Sequence, residues 1–197
     1  DINMIKVLVN GICGKMGNKV AKLVLQEEDM NLVGGLDSHP RSNSSYPIYS
    51  DIKLFSELPN VIIDFSAPES TIFLLPYCMS HHIPMVIATT GFTKEQQNEI
   101  LDASVQIPIF QSSNMSYEIT LVSQIIAELS QKLPEADIEI VETHHNQKKD
   151  SPSGTALLLA NSINAEGSYI YEFNRMQKRE KRNPKEIGFS SIRGGNI

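Results

Sequence analysis

The chain has 197 residues, 41% of them hydrophobic, enough for one larger or two small domains with cores of their own. Seventeen Lys and Arg against 23 Asp and Glu give a net charge of −6, and no broad basic stripe interrupts that balance, which excludes a nucleic-acid partner. No signal peptide or long apolar span is present, and Cys13 and Cys78 stand in unrelated contexts, so the chain reads as a soluble protein of the reducing cytoplasm, without a membrane partner or a disulfide framework.

The start, Asp1-Ile2-Asn3-Met4, reads as a stretch that can hold leader or trimmed residues. Ile5 to Val9 is a short apolar run suited to a buried parallel strand. It flows into Asn10-Gly11-Ile12-Cys13-Gly14-Lys15-Met16-Gly17, after which Met16, Val20, Leu23 and Val24 fall at helical spacing. Strand, glycine-rich turn and amphipathic helix are the setting a dinucleotide fingerprint requires, although G-x-x-G-x-x-G is a weak signal by itself. A second strand, Leu32 to Leu36, ends at Asp37, where a carboxylate would accept hydrogen bonds from an adenosine ribose. Together these features assign Gly11, Ile12, Cys13, Gly14, Lys15, Met16 and Asp37 to a bound nucleotide. His39 to Ser50 reads as a Pro/Ser-rich loop from which Arg41 can reach a phosphate.

Val61 to Ser66 is the next buried strand, followed by a helix with Pro68 in its first turn and Glu69 near its N-terminus. Pro76 is expected to kink or end that helix. Pro84 to Ala88 forms another strand, running into Thr89-Thr90-Gly91. Thr93 caps a helix reaching Ala103, and Ile107 to Gln111 is a strand running into Ser112-Ser113-Asn114-Met115-Ser116. Small polar residues thus recur at strand C-termini, where ligands sit in open parallel sheets.

Tyr117 to Leu133 reads as a long helix with Ile119, Val122, Ile126 and Leu129 on one face. Ile138 to Thr143 alternates as an edge or half-buried strand. Asn161 to Glu172 reads as irregular, Lys178 to Arg182 as a solvated loop, and Phe189 to Ile192 as a strand.

The densest chemistry lies between His144 and Ala160. His144, His145, Lys148, Lys149 and Asp150 share one polar loop, closed by Pro152 and followed by a helix that Ser153 or Thr155 can cap. The Ser153-Gly154-Thr155 turn presents backbone N–H groups with a glycine that allows close approach, an anion site. Proton-transfer groups, then cations, then an anion cradle are what an enzyme acting on a small anionic substrate needs. Adjacent histidines point in different directions and no third ligand follows at useful spacing, so no metal is assigned. Competing readings are a solvated surface loop, a nucleotide-binding regulatory module without catalysis, and a metal-dependent hydrolase using His144 and His145.

The stretch ETHHNQKKDSPSGTAL closely resembles the signature E-x-H-H-x-x-K-x-D-x-P-S-G-T-A of the 4-hydroxy-tetrahydrodipicolinate reductase (dihydrodipicolinate reductase) family. The segments DFS, ATTGFT and SSNMS also resemble that family's cofactor side. The resemblance implies an α/β fold: an N-terminal Rossmann-type parallel sheet over 1–115, and a second, smaller α+β domain for substrate binding and oligomerisation over 116–197. It implies NAD(P)H-dependent reduction of a small anionic dicarboxylate in lysine and diaminopimelate biosynthesis, by a homotetramer. His144 becomes the general acid/base and Lys148 a source of proton and charge. His145, Ser153, Gly154 and Thr155 become holders of the substrate's carboxylates. Ala88, Thr89 and Thr90, with Ser112, Ser113, Asn114 and Met115, fall on the cofactor side. Where the family often has a basic residue after the acidic one, this chain has Ser38, which favours NADH over NADPH. Family members usually continue for several tens of residues beyond the position of Ile197, which implies a second domain shortened at its C-terminus.

Overall fold

A computed structural model describes residues 4–196, and the chain divides into two compact units, one ending at Ser112 and the other beginning at Ser113. The reading of Asp1-Ile2-Asn3 as a leader lies outside the described residues.

In the first unit β1 (Ile5–Asn10), α1 (Lys15–Val24), β2 (Met30–Leu36), β3 (Ile48–Tyr49), β4 (Val61–Asp64), α2 (Pro68–His81), β5 (Met85–Ile87), α3 (Lys94–Ser104) and β6 (Ile109–Gln111) follow one another. The strands form one wholly parallel sheet in the order β3-β2-β1-β4-β5-β6, with the chain reversing its direction of travel between β1 and β4. Central β1 is buried on both faces, as its unbroken run of Val and Leu requires. Leu8 joins a core with Ile62, Leu74, Leu75, Met85 and Ile100, and Val7 and Val9 join a second with Ile12, Ala21 and Val24. Each buried Val, Leu, Ile or Met side chain among these contributes roughly 1.5–3 kcal/mol of transfer free energy.

Three local expectations are corrected here, and a fourth is borne out. The buried face of α1 is Gly17, Ala21 and Val24, while Met16 and Leu23 are about half exposed. Small residues win that face because the helix lies close against the turn that precedes it. α2 runs on through Pro76 to His81. Pro76 is exposed while Leu74, Leu75 and Cys78 beside it are buried, so packing holds the helix across the one missing N–H. Part of the Pro/Ser-rich segment is a strand: β3 pairs with β2 through Gly35 and Ile48, and Leu36 and Tyr49. The Thr93 cap is a full capping box with Gln96, each backbone N–H donating to the other's side chain.

The second unit contains α4 (Tyr117–Lys132), β7 (Ile138–His144), α5 (Gly154–Ile163), β8 (Ile170–Glu172) and β9 (Glu186–Arg193). Its sheet, ordered β7-β9-β8, is parallel throughout. One face packs on α5, where Ile138, Ile140, Ile187 and Phe189 meet Ala156 and Ala160. On α4 the expected apolar face is split, because Val122 and Leu129 are exposed and Ser123 is the buried residue. The segment 161–172, read as irregular, begins with the last turn of α5 and ends with β8, which the sequence hides because only three residues pair. The segment read as a solvated loop is anchored by Arg182. Its guanidinium binds the carboxylates of Asp137, Glu139 and Glu186, and donates to the carbonyls of Ile138 (2.6 Å) and Glu186 (2.8 Å).

Candidate active site

In the first unit the nucleotide candidates converge on the end of β1. Gly11 adopts φ +76°, a conformation that a side chain disfavours, and its N–H donates to the Leu36 carbonyl at 2.8 Å. At Gly17 a Cβ would lie 2.1 Å from the Gly11 carbonyl oxygen, so only glycine lets α1 start this near the turn. The N-cap of α1 is Gly14, which offers no side-chain acceptor, so the first N–H groups of Lys15 and Met16 stay available on an exposed surface. An uncapped N-terminus behind a tight glycine turn fits the pyrophosphate of a dinucleotide. Asp37 accepts from the N–H groups of Cys13 and His39, both at 3.0 Å, and Arg41 donates to the Cys13 carbonyl at 2.9 Å. Glycine turn, acidic residue and Arg41 are thus one connected surface.

Beneath it lies a network the sequence reading missed. Asp64 is fully buried and accepts from Asn10 Nδ2 (3.0 Å), Ser66 N (3.1 Å), Ser66 Oγ (2.5 Å) and the Thr71 hydroxyl. Burial pushes its carboxyl above the ordinary value, against the opposing pull of those hydrogen bonds. Thr89 Oγ1 accepts from Ser66 N at 3.0 Å, and Ala88 N–H donates to the Asp64 carbonyl at 2.9 Å. Thr89 is buried, Ala88 partly so, and Thr90 exposed. The network ties together the C-terminal ends of β1, β4 and β5. Its legible signal was two polar residues, Asn10 and Asp64, each ending an apolar strand and paired in register. Ser112 continues from β6 and donates its N–H to the Ile87 carbonyl at 3.1 Å.

In the second unit, register decides the site. Alternation along β7 sends Ile138, Ile140, Glu142 and His144 to one face, the face covered by α5. Glu142 sits at the centre. One oxygen, Oε1, accepts from Arg193 Nη2 at 2.8 Å and from the Ser153 backbone N–H at 3.3 Å. The other, Oε2, faces His144 Nδ1, and both of these atoms are shut off from solvent. Burial works against the Glu142 charge, but Arg193, Ser191 and the Ser153 N–H outweigh it and hold the carboxyl at about 2. Arg193 also donates to the Asp150 carbonyl at 2.6 Å, and Lys148 Nζ lies 2.8 Å from Asp150 Oδ1. Lys148 and Arg193 hold the Asp150 carboxyl below its ordinary value despite some burial.

Ser153 caps α5 by accepting from Ala156 N–H at 3.2 Å, so its own side chain and N–H are both engaged. Gly154 and Thr155 carry the N–H groups left open at that helix end. The Thr155 hydroxyl accepts from Asn114 Nδ2 at 2.8 Å, and Gly154 lies against Ser113. Met115 is exposed, and His145 lies on the surface, its Nδ1 accepting from Gln147 N–H at 3.2 Å. Among the described residues no cluster of three His, Cys, Asp or Glu side chains could hold a metal ion. Sequence reasoning assigned no role to Arg193, nor to Glu142, although Glu142 opens the quoted signature. The available signal for Glu142 was its position two before His144 on one strand, hence on one face.

Comparison with known proteins is consistent along the chain. The family model for the dihydrodipicolinate reductase N-terminus matches residues 5–115, and the model for its C-terminus matches 118–197. The chain is 42% identical to the 4-hydroxy-tetrahydrodipicolinate reductase of Caldanaerobacter subterraneus subsp. tengcongensis, over 98% of this chain and 78% of that protein. It is 41% identical to that of Clostridium tetani, over 98% and 77%. Among solved structures, a dipicolinate-bound dihydrodipicolinate reductase from Paenisporosarcina sp. TG-14 superposes with a TM-score of 0.71 at 28% identity, covering 97% of this chain and 79% of that one. With both family models matched and the glycine turn, the buried Asp64 network and the His144–Lys148 loop in place, the chain belongs to the dihydrodipicolinate reductase family.

Proposed function

We propose that the chain reduces 4-hydroxy-tetrahydrodipicolinate to tetrahydrodipicolinate, a step of lysine and diaminopimelate biosynthesis. A hydride and a proton are added to the substrate and its hydroxyl leaves as water. The observation that carries this reading is the second unit's single cluster, in which an imidazole, an ammonium and an open helix N-terminus are held on a framework of two ion pairs.

A bound reduced nicotinamide supplies the hydride. The first unit would hold it, with the α1 N-terminus for the pyrophosphate, Asp37 for the adenosine ribose, and Ala88, Thr89 and Thr90 for the reactive end. Ser112, Ser113, Asn114 and Met115 are further proposed cofactor contacts. The second unit holds the substrate. Gly154 and Thr155 donate backbone N–H groups to one carboxylate, Ser153 fixes the start of that helix, and His145 and Lys148 meet the remaining negative charge. His144 acts as general acid/base and Lys148 delivers a proton, roles suited to an imidazole near neutral pH and to a lysine tethered at 2.8 Å by Asp150.

NADH is the favoured coenzyme, since Asp37 repels a 2′-phosphate and Ser38 offers no countercharge; Arg41 is the residue through which NADPH would be accepted. The active assembly is a homotetramer joined through the second sheet, whose face away from α5 exposes Val141 and Ile192. A reducing cytoplasm suits the two free cysteines. Among the described residues no helix is long and apolar enough to cross a membrane.

The test is absorbance of NADH and, separately, NADPH with substrate made in situ by the preceding synthase. Substrate-dependent oxidation, faster with NADH, is expected. Cofactor binding without turnover would replace this reading with that of a regulatory module.

A further inference from the structure

We propose that Glu142 is the positioning residue of this site: through its Oε2 it fixes the His144 ring with the proton on Nδ1, leaving Nε2 to exchange a proton with substrate. The inference rests on His144 being the acid/base. Three observations support it. Glu142 Oε2 and His144 Nδ1 are both excluded from solvent and in contact with each other, and among the described residues neither has another polar partner. A carboxylate only accepts, so the neutral imidazole must donate from Nδ1. The opposite oxygen is already committed to two donors, Arg193 Nη2 and the Ser153 N–H, so the carboxylate cannot rotate away from the ring without stranding both.

The same carboxylate thereby joins two functions. Oε1 reaches the N-cap residue of α5, the helix whose next two N–H groups form the anion cradle, while Oε2 orients the proton-transfer group. Register builds this link: Glu142 and His144 share the face of β7 that α5 covers, and His144 pairs with Arg193 on β9. Arg193 reaches the loop as well, donating to Asp150, whose side chain holds Lys148. Ring, ammonium and cradle are therefore referenced to one buried carboxylate.

Glu142→Gln separates this role from simple structural support. Arg193 and the Ser153 N–H both require an acceptor, so the amide oxygen stays with them and the amide NH2 turns toward His144 Nδ1. Nδ1 must then accept, and the proton moves to Nε2. The tautomer inverts while side-chain size is kept. The experiment is nitrogen NMR of the imidazoles, in alkaline buffer where they are neutral, on wild type, Glu142→Gln and Glu142→Asp, with His144→Gln to assign the signal. The expected result is an Nδ1-protonated His144 in wild type and an Nε2-protonated one in Glu142→Gln. Alongside it, kcat should fall by on the order of 10²–10⁴-fold, while KM for NADH changes less than about threefold. Glu142→Asp should recover part of the rate. An Nε2-protonated wild type, or an unchanged tautomer in a folded Glu142→Gln, overturns the proposal. If Glu142→Gln does not fold, the wild-type spectrum alone decides. Full turnover by His144→Gln would instead overturn the acid/base reading, whatever the tautomer proves to be.

Discussion

Replacing Gly17 with Ala adds one methyl at the point where α1 meets the glycine turn. The new Cβ would stand 2.1 Å from the Gly11 carbonyl oxygen, 2.7 Å from its carbon and 2.9 Å from Ile12 Cα. All three are backbone atoms, so no side chain can swing aside. Reaching ordinary contact at 3.4 Å requires the helix start to retreat by about 1.3 Å from the oxygen. Overpacking of this kind costs typically 1–3 kcal/mol, against a gain of about 1 kcal/mol from replacing glycine inside a helix. Global stability should therefore fall by roughly 0–2 kcal/mol, a loss of several degrees at most in the melting temperature. Cofactor binding should suffer more, because the retreat moves the open N–H groups of Lys15 and Met16 by a distance that matters to charge-assisted hydrogen bonds. A loss of about 1.5–3 kcal/mol per such bond is about 10- to 100-fold in Kd for NADH. Nicotinamide fluorescence titration and a thermal melt on the same sample separate the two effects. A Gly17→Ala protein that binds NADH as wild type does would refute the claim that this contact sets the cradle.

Other expectations follow from the same geometry. His144→Gln should lower turnover roughly 10²–10⁴-fold in the steady-state assay with NADH binding intact; unchanged turnover removes the imidazole from the mechanism. Arg41→Ala should raise Kd for NADPH about tenfold or more and leave that for NADH within a factor of about three, since only the former carries a phosphate for the guanidinium to meet. Equal losses for both would mean that Arg41 acts only by bracing the turn through the Cys13 carbonyl. Glu142 makes a pH-dependent contribution to stability. Its folded carboxyl titrates at about 2, below the ordinary 4.5, so the contribution is fully present above 4.5 and is lost as pH falls from there through about 2. Wild type should exceed Glu142→Gln in stability at neutral pH by up to about 3 kcal/mol, less what solvent screening removes. In urea unfolding that gap should close across the same acid window. A gap that persists at pH about 2 contradicts the assignment.

Most of the first unit was legible because its signals are local. Apolar strands, the Gly11–Gly17 turn, the Pro68 start and the Thr93–Gln96 box each depend on residues within a few positions of one another, as does the helix cap at Ser153. What failed were judgements about which face a helix buries. Met16 and Leu23 are the larger apolar residues on α1, yet Gly17 and Ala21 face the fold, because closeness of approach outweighs side-chain area there. Pro76 likewise does not end α2, whose residues beside it are buried.

The sequence by itself determined that this is a Rossmann-type chain with a glycine cradle, an acidic residue closing the second strand, and one loop rich in proton-transfer groups. Only the tertiary structure decided how those groups are held. Glu142 meets Arg193 from a strand 51 residues away, Asp64 meets Asn10 across 54, and Arg182 meets Glu139 across 43. None of these pairings leaves a local pattern. A buried carboxylate must find donors wherever the packed sheet brings them, and strand order and register, which follow from burying apolar area over the whole domain, choose which donors those are.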